Sequence, residues 1–150
     1  MAKEIERKFL VHSDAWRAAA SGSEGIVQGY LTRGGGVTVR IRIFDDARAV
    51  LTIKAGGTAL SRDEYEYEVP LADGRELLAH AGGQVLEKRR YGVPYGGRDW
   101  EVDVFEGRNA GLVLAEIEME SEDAKVDLPD WVGEDVTGDP RYYNSSLAGA

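Results

Sequence analysis

The sequence predicts a mainly β domain of the α+β class: eight antiparallel strands closed into a barrel, with a few short helices outside it. Three observations carry that expectation. Apolar and polar residues alternate with a period of two along most of the chain, as in strands with one face toward a core. Helical spacing is confined to short stretches. The polar strand faces also gather long side chains of one sign, as in Arg40 with Arg42 or Glu64 with Glu66 and Glu68, whereas a face shaped only by solubility intersperses its signs.

In chain order, Glu4 to Phe9 reads as the first strand, and Ser13-Asp14 caps a helix through Ala20. Ser21 to Gly25 is a break, followed by a strand from Val27 to Thr32. The turn Gly34-Gly35-Gly36 leads into Val37 to Phe44, with Val37, Val39, Ile41 and Ile43 on one face and Thr38, Arg40 and Arg42 on the other. Ala49 to Lys54 and Arg62 to Pro70 are separated by the loop at Ala55-Gly56-Gly57. Asp73 to Ala81 has helical spacing of Leu77 and Leu78. The last three strands run from Val85 to Tyr91, Asp99 to Phe105 and Gly111 to Met119, and a short turn is expected after Asp139. No repeat or linker divides the 150 residues, so a single domain over residues 1–150 is expected.

Residues two apart on a strand face lie about 7 Å apart, and like charges at that spacing repel unless compensated. Turning these faces inward sets Lys8, Arg40, Arg42, Lys54, Lys88 and Arg90 against Glu4, Glu6, Glu64, Glu66, Asp103, Glu116 and Glu118 across a lumen. A dry lumen of this kind is untenable, since each unpaired buried ion costs several kcal/mol. A wet one suits a highly charged ligand. Arg and Lys match phosphate oxygens, and paired carboxylates supply the oxygen ligands that Mg²⁺ or Mn²⁺ prefer. The pattern therefore points to a polyphosphate bound with divalent metal.

Composition excludes several classes. With 18 Lys+Arg against 27 Asp+Glu the net charge is −9, which opposes non-specific nucleic-acid or anionic-membrane binding. The chain has no cysteine, hence no disulfide or thiolate chemistry, and its two histidines, His12 and His80, read as surface or helix-end residues. The glycine run at 34–36 lacks the Lys-Ser/Thr of a phosphate-binding P-loop. No apolar run reaches the roughly 20 residues of a membrane span and the N-terminus lacks a signal-peptide pattern, so a soluble cytoplasmic protein is expected. Trp16, Trp100 and Trp131 are expected to pack outside the sheet, and Arg7 and Arg89 have the wrong parity for the lumen. Tyr30, Thr38 and Thr52 are weaker lumen candidates, and Glu68 and Glu101 are expected at a tunnel mouth.

Glu4-Ile5-Glu6-Arg7-Lys8 has the ExExK form of the CYTH superfamily, the triphosphate tunnel metalloenzymes. It is followed in order by Arg40-Ile41-Arg42, Thr52-Ile53-Lys54, Glu64-Tyr65-Glu66, Lys88-Arg89-Arg90, Asp103 and Glu116-Ile117-Glu118. Over its whole length the chain resembles a small bacterial member, including the ending Val136 to Asn144. The resemblance implies an eight-stranded tunnel that binds a triphosphate with one or two divalent metals, Mg²⁺ or Mn²⁺. It implies Lys8, Arg40, Arg42, Lys54, Lys88 and Arg90 as phosphate donors, with Glu4, Glu6 and Lys88 as the catalytic groups. Glu116 and Glu118 would hold a metal bridging to the triphosphate, while Glu4 and Glu6, helped by Glu66 or Asp103, would hold a second beside the attacking water. The segment around Arg141, Tyr142 and Tyr143 resembles a short helix that plugs one mouth. Hydrolysis of inorganic tripolyphosphate to pyrophosphate and phosphate is the leading expectation. Adenylate cyclase, thiamine triphosphatase and a non-catalytic polyphosphate or nucleotide binder remain alternatives, and a homodimer is left open.

Overall fold

The computed structural model describes residues 3–149. Eight strands form the barrel: β1 (Lys3–Val11), β2 (Gly22–Gly34), β3 (Val37–Phe44), β4 (Arg48–Ala55), β5 (Ser61–Val69), β6 (Val85–Tyr95), β7 (Arg98–Phe105) and β8 (Val113–Glu118). All pairings are antiparallel, in the order β5-β4-β3-β2-β6-β7-β8-β1, and β5 returns to β1 to close the ring.

The closing seam is short, with only Lys3, Glu4 and Ile5 opposite Asp63, Arg62 and Ser61. Beyond it the β1 edge is satisfied by irregular chain. Glu6 N donates to Leu60 O at 3.1 Å, Lys8 N to Thr137 Oγ1 at 2.9 Å, and Val136 N to Lys8 O at 2.8 Å. A ninth strand, β9 (Val132–Asp135), then pairs with Phe9 and Val11. This strand is an addition to the sequence expectation, because four residues containing Gly133 and two adjacent acids show no alternation.

Two apolar shells cover the outside. Phe9, Trp16, Val93, Trp100, Val102, Ala115, Ile117 and Trp131 pack over β1, β6, β7 and β8, so all three tryptophans lie outside the barrel as expected. On the opposite side Ile41, Ile43 and Ala49 are covered by α1 (Leu71–His80) through Leu71, Leu77 and Leu78. That helix approaches so closely that a Cβ on Gly29 would lie 2.7 Å from Ala81 Cβ, and one on Gly74 would collide with Ala49.

Several boundaries differ from expectation. The segment expected to be a helix ending at Ala20 is a 3-10 helix over Ala15–Ala19 that seats Trp16, and α1 starts at Leu71, two residues before Asp73. β2 begins at Gly22 because Gly22, Ser23, Glu24 and Gly25 pair with Gly92 to Arg89 of β6. Small and polar residues read as a break locally, and a partner strand overrides that preference.

The barrel interior is stoppered at one end. After a 3-10 turn (Pro140–Tyr142), α2 (Asn144–Leu147) brings Tyr142, Leu147 and Ala148 against Leu86, Phe105 and Leu114. Those three residues share the inward parity of Lys88, Asp103 and Glu116, so the lumen is apolar where the tail enters. Tyr142 belongs to the plug as the resemblance implies. Arg141 instead turns outward, with 76% of its side chain exposed, to pair with Asp139 at 2.7 Å. No helix among the described residues is long and apolar enough to cross a membrane.

Candidate active site

The inward faces meet around a cavity of about 650 Å³. Strand register explains which side chains share it, because cross-strand partners lie on one face. Lys8 lies opposite Glu116 and Glu6 opposite Glu118, Lys54 opposite Glu64 and Thr52 opposite Glu66, and Arg90 opposite Asp103. Of the residues expected at the site, Glu4, Glu6, Lys8, Arg40, Arg42, Lys54, Glu66, Arg90, Glu116 and Glu118 line the cavity. Of these ten, Glu66 and Glu118 are exposed. Tyr30, Thr38 and Glu101 also reach the lining.

Near the seam, Lys54 Nζ lies 2.7 Å from Glu4 Oε1 and 3.6 Å from Glu64 Oε2. Burial pushes Glu4 up, but its hydrogen bond with Glu64 and the Lys54 ammonium outweigh burial and hold it at about 2. Glu64 carries the proton of this pair and is raised to about 8 by burial and by Glu4. A second pair repeats the arrangement. Burial and the charge of Glu116 lift Glu6 well above the usual carboxylate range, whereas Glu116 is drawn far below it, against burial, by Lys8, Arg90 and Lys88.

Across the cavity stand the arginines. Arg42 is buried and its Nε donates to Gln28 Oε1 at 2.7 Å. Burial, with Arg40 and Arg90 nearby, lowers it to about 10, so it remains a cation at neutral pH. Arg40 is 7% exposed, its Nε is buried without a partner, and its ion contact with Glu64 is long at 3.9 Å. A buried guanidinium N–H with nothing to donate to is costly unless a ligand completes it.

Lys88 and Asp103 are placed differently from the sequence expectation. Neither lines the cavity; both lie beneath its floor, at 0% and 1% exposure. Lys88 Nζ donates to Asp103 Oδ2 at 2.7 Å and to Asn144 Oδ1 at 2.8 Å, and Asp103 also accepts from Arg90 Nε at 2.8 Å and Nη2 at 2.9 Å. Burial, then Arg90 and Arg42, bring Lys88 down to about 7 against the pull of Asp103. The parity that selected these two residues is right, but the plug covers that depth of the barrel.

A model of the CYTH domain matches residues 2–143 of this chain. The chain belongs to the CYTH domain family. It is 47% identical over 150 residues to an inorganic triphosphatase of Acetivibrio thermocellus, covering 98% of this chain and 94% of that protein. It is 38% identical over 149 residues to an inorganic triphosphatase of Nitrosomonas europaea, covering 97% and 96%. A solved inorganic triphosphatase structure superposes with a TM-score of 0.69 at 35% identity, covering 99% of this chain and 95% of that one. A Pyrococcus horikoshii protein shares the CYTH fold, with a TM-score of 0.61 at 20% identity and coverage of 79% and 80%.

The donor set of this CYTH domain fits a divalent cation. Among the described residues no three His, Cys, Asp or Glu side chains gather into a ready-made metal cage. Mg²⁺, however, is usually held by one or two carboxylates together with substrate phosphates and water. Glu6 stands within hydrogen-bonding reach of Glu116, and Glu4 of Glu64, so each pair raises the proton affinity of one member, and a hard cation relieves the same crowding of carboxyl oxygens.

Three residues at the site escaped the sequence reading. Arg62 has the parity of Glu64 and lines the cavity, with its guanidinium donating to Gly56 O at 3.2 Å and Gly36 O at 2.9 Å; parity alone was enough to find it. Gln28 was equally findable as the inward neighbour of Tyr30. Asn144 closes the tail segment Val136 to Asn144 that belongs to the resemblance, but it lies outside every alternating segment, so no periodicity assigns it a place in the lumen.

Proposed function

We propose that this protein hydrolyses inorganic tripolyphosphate to pyrophosphate and phosphate with Mg²⁺ or Mn²⁺. The observation that carries this reading is a cavity ringed by Arg40, Arg42 and Arg90 and faced by carboxyl pairs, in which, among the described residues, Arg40 has only a long 3.9 Å ion contact with Glu64. Its support from relatives is that two proteins at 47% and 38% identity bear the name inorganic triphosphatase.

Phosphoryl transfer asks for in-line positioning and for neutralisation of charge on the transferred group. Arg40, Arg42, Arg90, Lys8 and Lys54 supply fixed positive charge around the phosphates. A cation held by the close pair Glu6 and Glu116, or by Glu4 and Glu64, together with phosphate oxygens and water, would supply charge neutralisation and a more acidic water. Oxygen of the attacking water bonds to a terminal phosphorus, the bridging P–O bond breaks with its electron pair departing on pyrophosphate, and the proton of the water is released to solvent. Lys88 and Asp103 act from below: Asp103 fixes the Arg90 guanidinium through two hydrogen bonds and Lys88 ties Asp103 to the plug.

The deciding experiment is phosphate release from tripolyphosphate, ATP and thiamine triphosphate with Mg²⁺ or Mn²⁺. Tripolyphosphate is expected to be the best substrate, with Glu4→Gln losing turnover more than binding and Arg42→Ala losing both. No release from tripolyphosphate overturns the assignment, and cyclic AMP formed from ATP supports the cyclase reading in its place.

A further inference from the structure

We propose that Asn144 is a positioning residue through which the C-terminal plug sets the orientation of Arg42 and Arg90 toward a triphosphate; this rests on the tripolyphosphate reading above. Asn144 Oδ1 accepts from Lys88 Nζ at 2.8 Å and from Gln28 Nε2 at 3.5 Å. Each partner leads to one arginine. Gln28 Oε1 accepts from Arg42 Nε at 2.7 Å. Lys88 Nζ donates to Asp103, which accepts from Arg90 Nε and Nη2.

Donor and acceptor chemistry fixes every orientation in this chain. Arg and Lys only donate, so Arg42 requires the Gln28 oxygen and Lys88 requires the Asn144 oxygen. Gln28 Nε2 must then find acceptors of its own, and it meets Tyr30 Oη at 2.8 Å as well as Asn144 Oδ1. Reversing either amide would set donor against donor. Gln28 and Lys88 are both 0% exposed and Asp103 is 1% exposed, so solvent has no access to replace a lost partner. Both arginines line the cavity; Arg42 spends Nε on this network, while Arg90 spends Nε and Nη2 on Asp103 and places Nη1 3.3 Å from Glu101 Oε2, so the network fixes the plane that each guanidinium presents to a ligand.

The plug packs through Leu147 and Ala148, accepts hydrogen bonds at its backbone carbonyls from Lys8, Arg108 and Asn109, and reaches the arginine network through the Asn144 side chain, so packing and network can be separated. Asn144→Leu keeps the size and removes the acceptor, Gln28→Met cuts the Arg42 arm alone, and Leu147→Ala loosens the packing while leaving the network intact. In the full-length protein, Asn144→Leu is expected to weaken tripolyphosphate binding about tenfold by calorimetry in EDTA. With Mg²⁺, its KM is expected to rise by a similar factor while kcat stays within about twofold. Gln28→Met should shift the same way, and Leu147→Ala should lower Tm with Kd unchanged. Wild-type Kd in both Asn144→Leu and Gln28→Met overturns the proposal, as does a Leu147→Ala variant that weakens binding as much as Asn144→Leu. Wild-type protein that neither binds nor hydrolyses tripolyphosphate overturns the functional reading instead, and the unsubstituted control alone detects that failure.

Discussion

Replacing Arg40 with Met is expected to stabilise the ligand-free protein while removing most of its affinity for tripolyphosphate. Arg40 is 7% exposed, and its buried Nε has no partner. Its nearest counter-charge, Glu64 Oε2, is 3.9 Å away on a carboxyl raised to about 8, which is mostly neutral at pH 7. An unsatisfied buried donor costs about 1–3 kcal/mol, and exchanging a buried ion for an apolar side chain of similar length is often neutral or stabilising. Unfolding free energy should therefore rise by about 1–3 kcal/mol, with roughly 2–4 °C in Tm for each kcal/mol at this chain length. The Arg40 N–H groups that face the cavity, once bound by phosphate, are worth about 1.5–3 kcal/mol as charge-assisted bonds, or roughly tenfold to a hundredfold in Kd. Urea unfolding without ligand and calorimetric titration with tripolyphosphate measure the two sides. Lower stability with unchanged affinity would show that Arg40 is a structural cation and that the cavity is complete without a ligand.

Arg90→Met should behave oppositely, because it strips two hydrogen bonds from Asp103, which is 1% exposed; urea denaturation should show a loss of about 3–5 kcal/mol, as for other broken buried pairs. Stability of the metal-free protein should fall as pH rises through about 8, the value to which burial and Glu4 raise Glu64. Between its usual range and about 8 the folded state holds a proton that the unfolded state has released, so the support that Glu64 lends to folding is complete below that interval, shrinks through it and is gone above about 8. Glu64→Gln should flatten the dependence of Tm on pH over that interval. Mg²⁺ or Mn²⁺ at a hundredfold excess over Kd should add about 2.7 kcal/mol, read as a rise in Tm, and Glu116→Gln should lose most of that rise.

Period-two alternation reported the barrel strands because it is a local property of an extended chain with one face toward the lumen and the other under an apolar shell. The alternation of Val37, Val39, Ile41 and Ile43 with Thr38, Arg40 and Arg42 shows it directly. Where alternation fails, legibility fails with it. Gly22 to Gly25 became strand only because β6 pairs with it, and β9 exists because the β1 edge beyond the short seam needs a partner. Arg62 was legible and missed; Asn144 was not legible, since its role depends on where a tail more than 130 residues from β1 comes to rest, which Lys8 Nζ marks by donating to Tyr142 O at a separation of 134 residues.

What the sequence determined by itself was parity. It set Lys88 and Arg90 on the same side of β6, with Glu4, Glu6 and Lys8 on the matching side of β1, because successive side chains of a strand point to opposite faces whatever surrounds it. Depth along the barrel was decided only by tertiary structure. Lys88 and Arg90 are two residues apart and share a face, yet Lys88 is fully buried beneath the floor with its pKa lowered to about 7, while Arg90 lines the cavity. The difference comes from α2, which packs on Leu86, Phe105 and Leu114 and seals one end of the lumen at the level of Lys88. Contacts between the tail and the three consecutive strands β6, β7 and β8 leave no periodicity in the tail, so the residues that carry charge were readable in advance and the ones left facing a ligand were not.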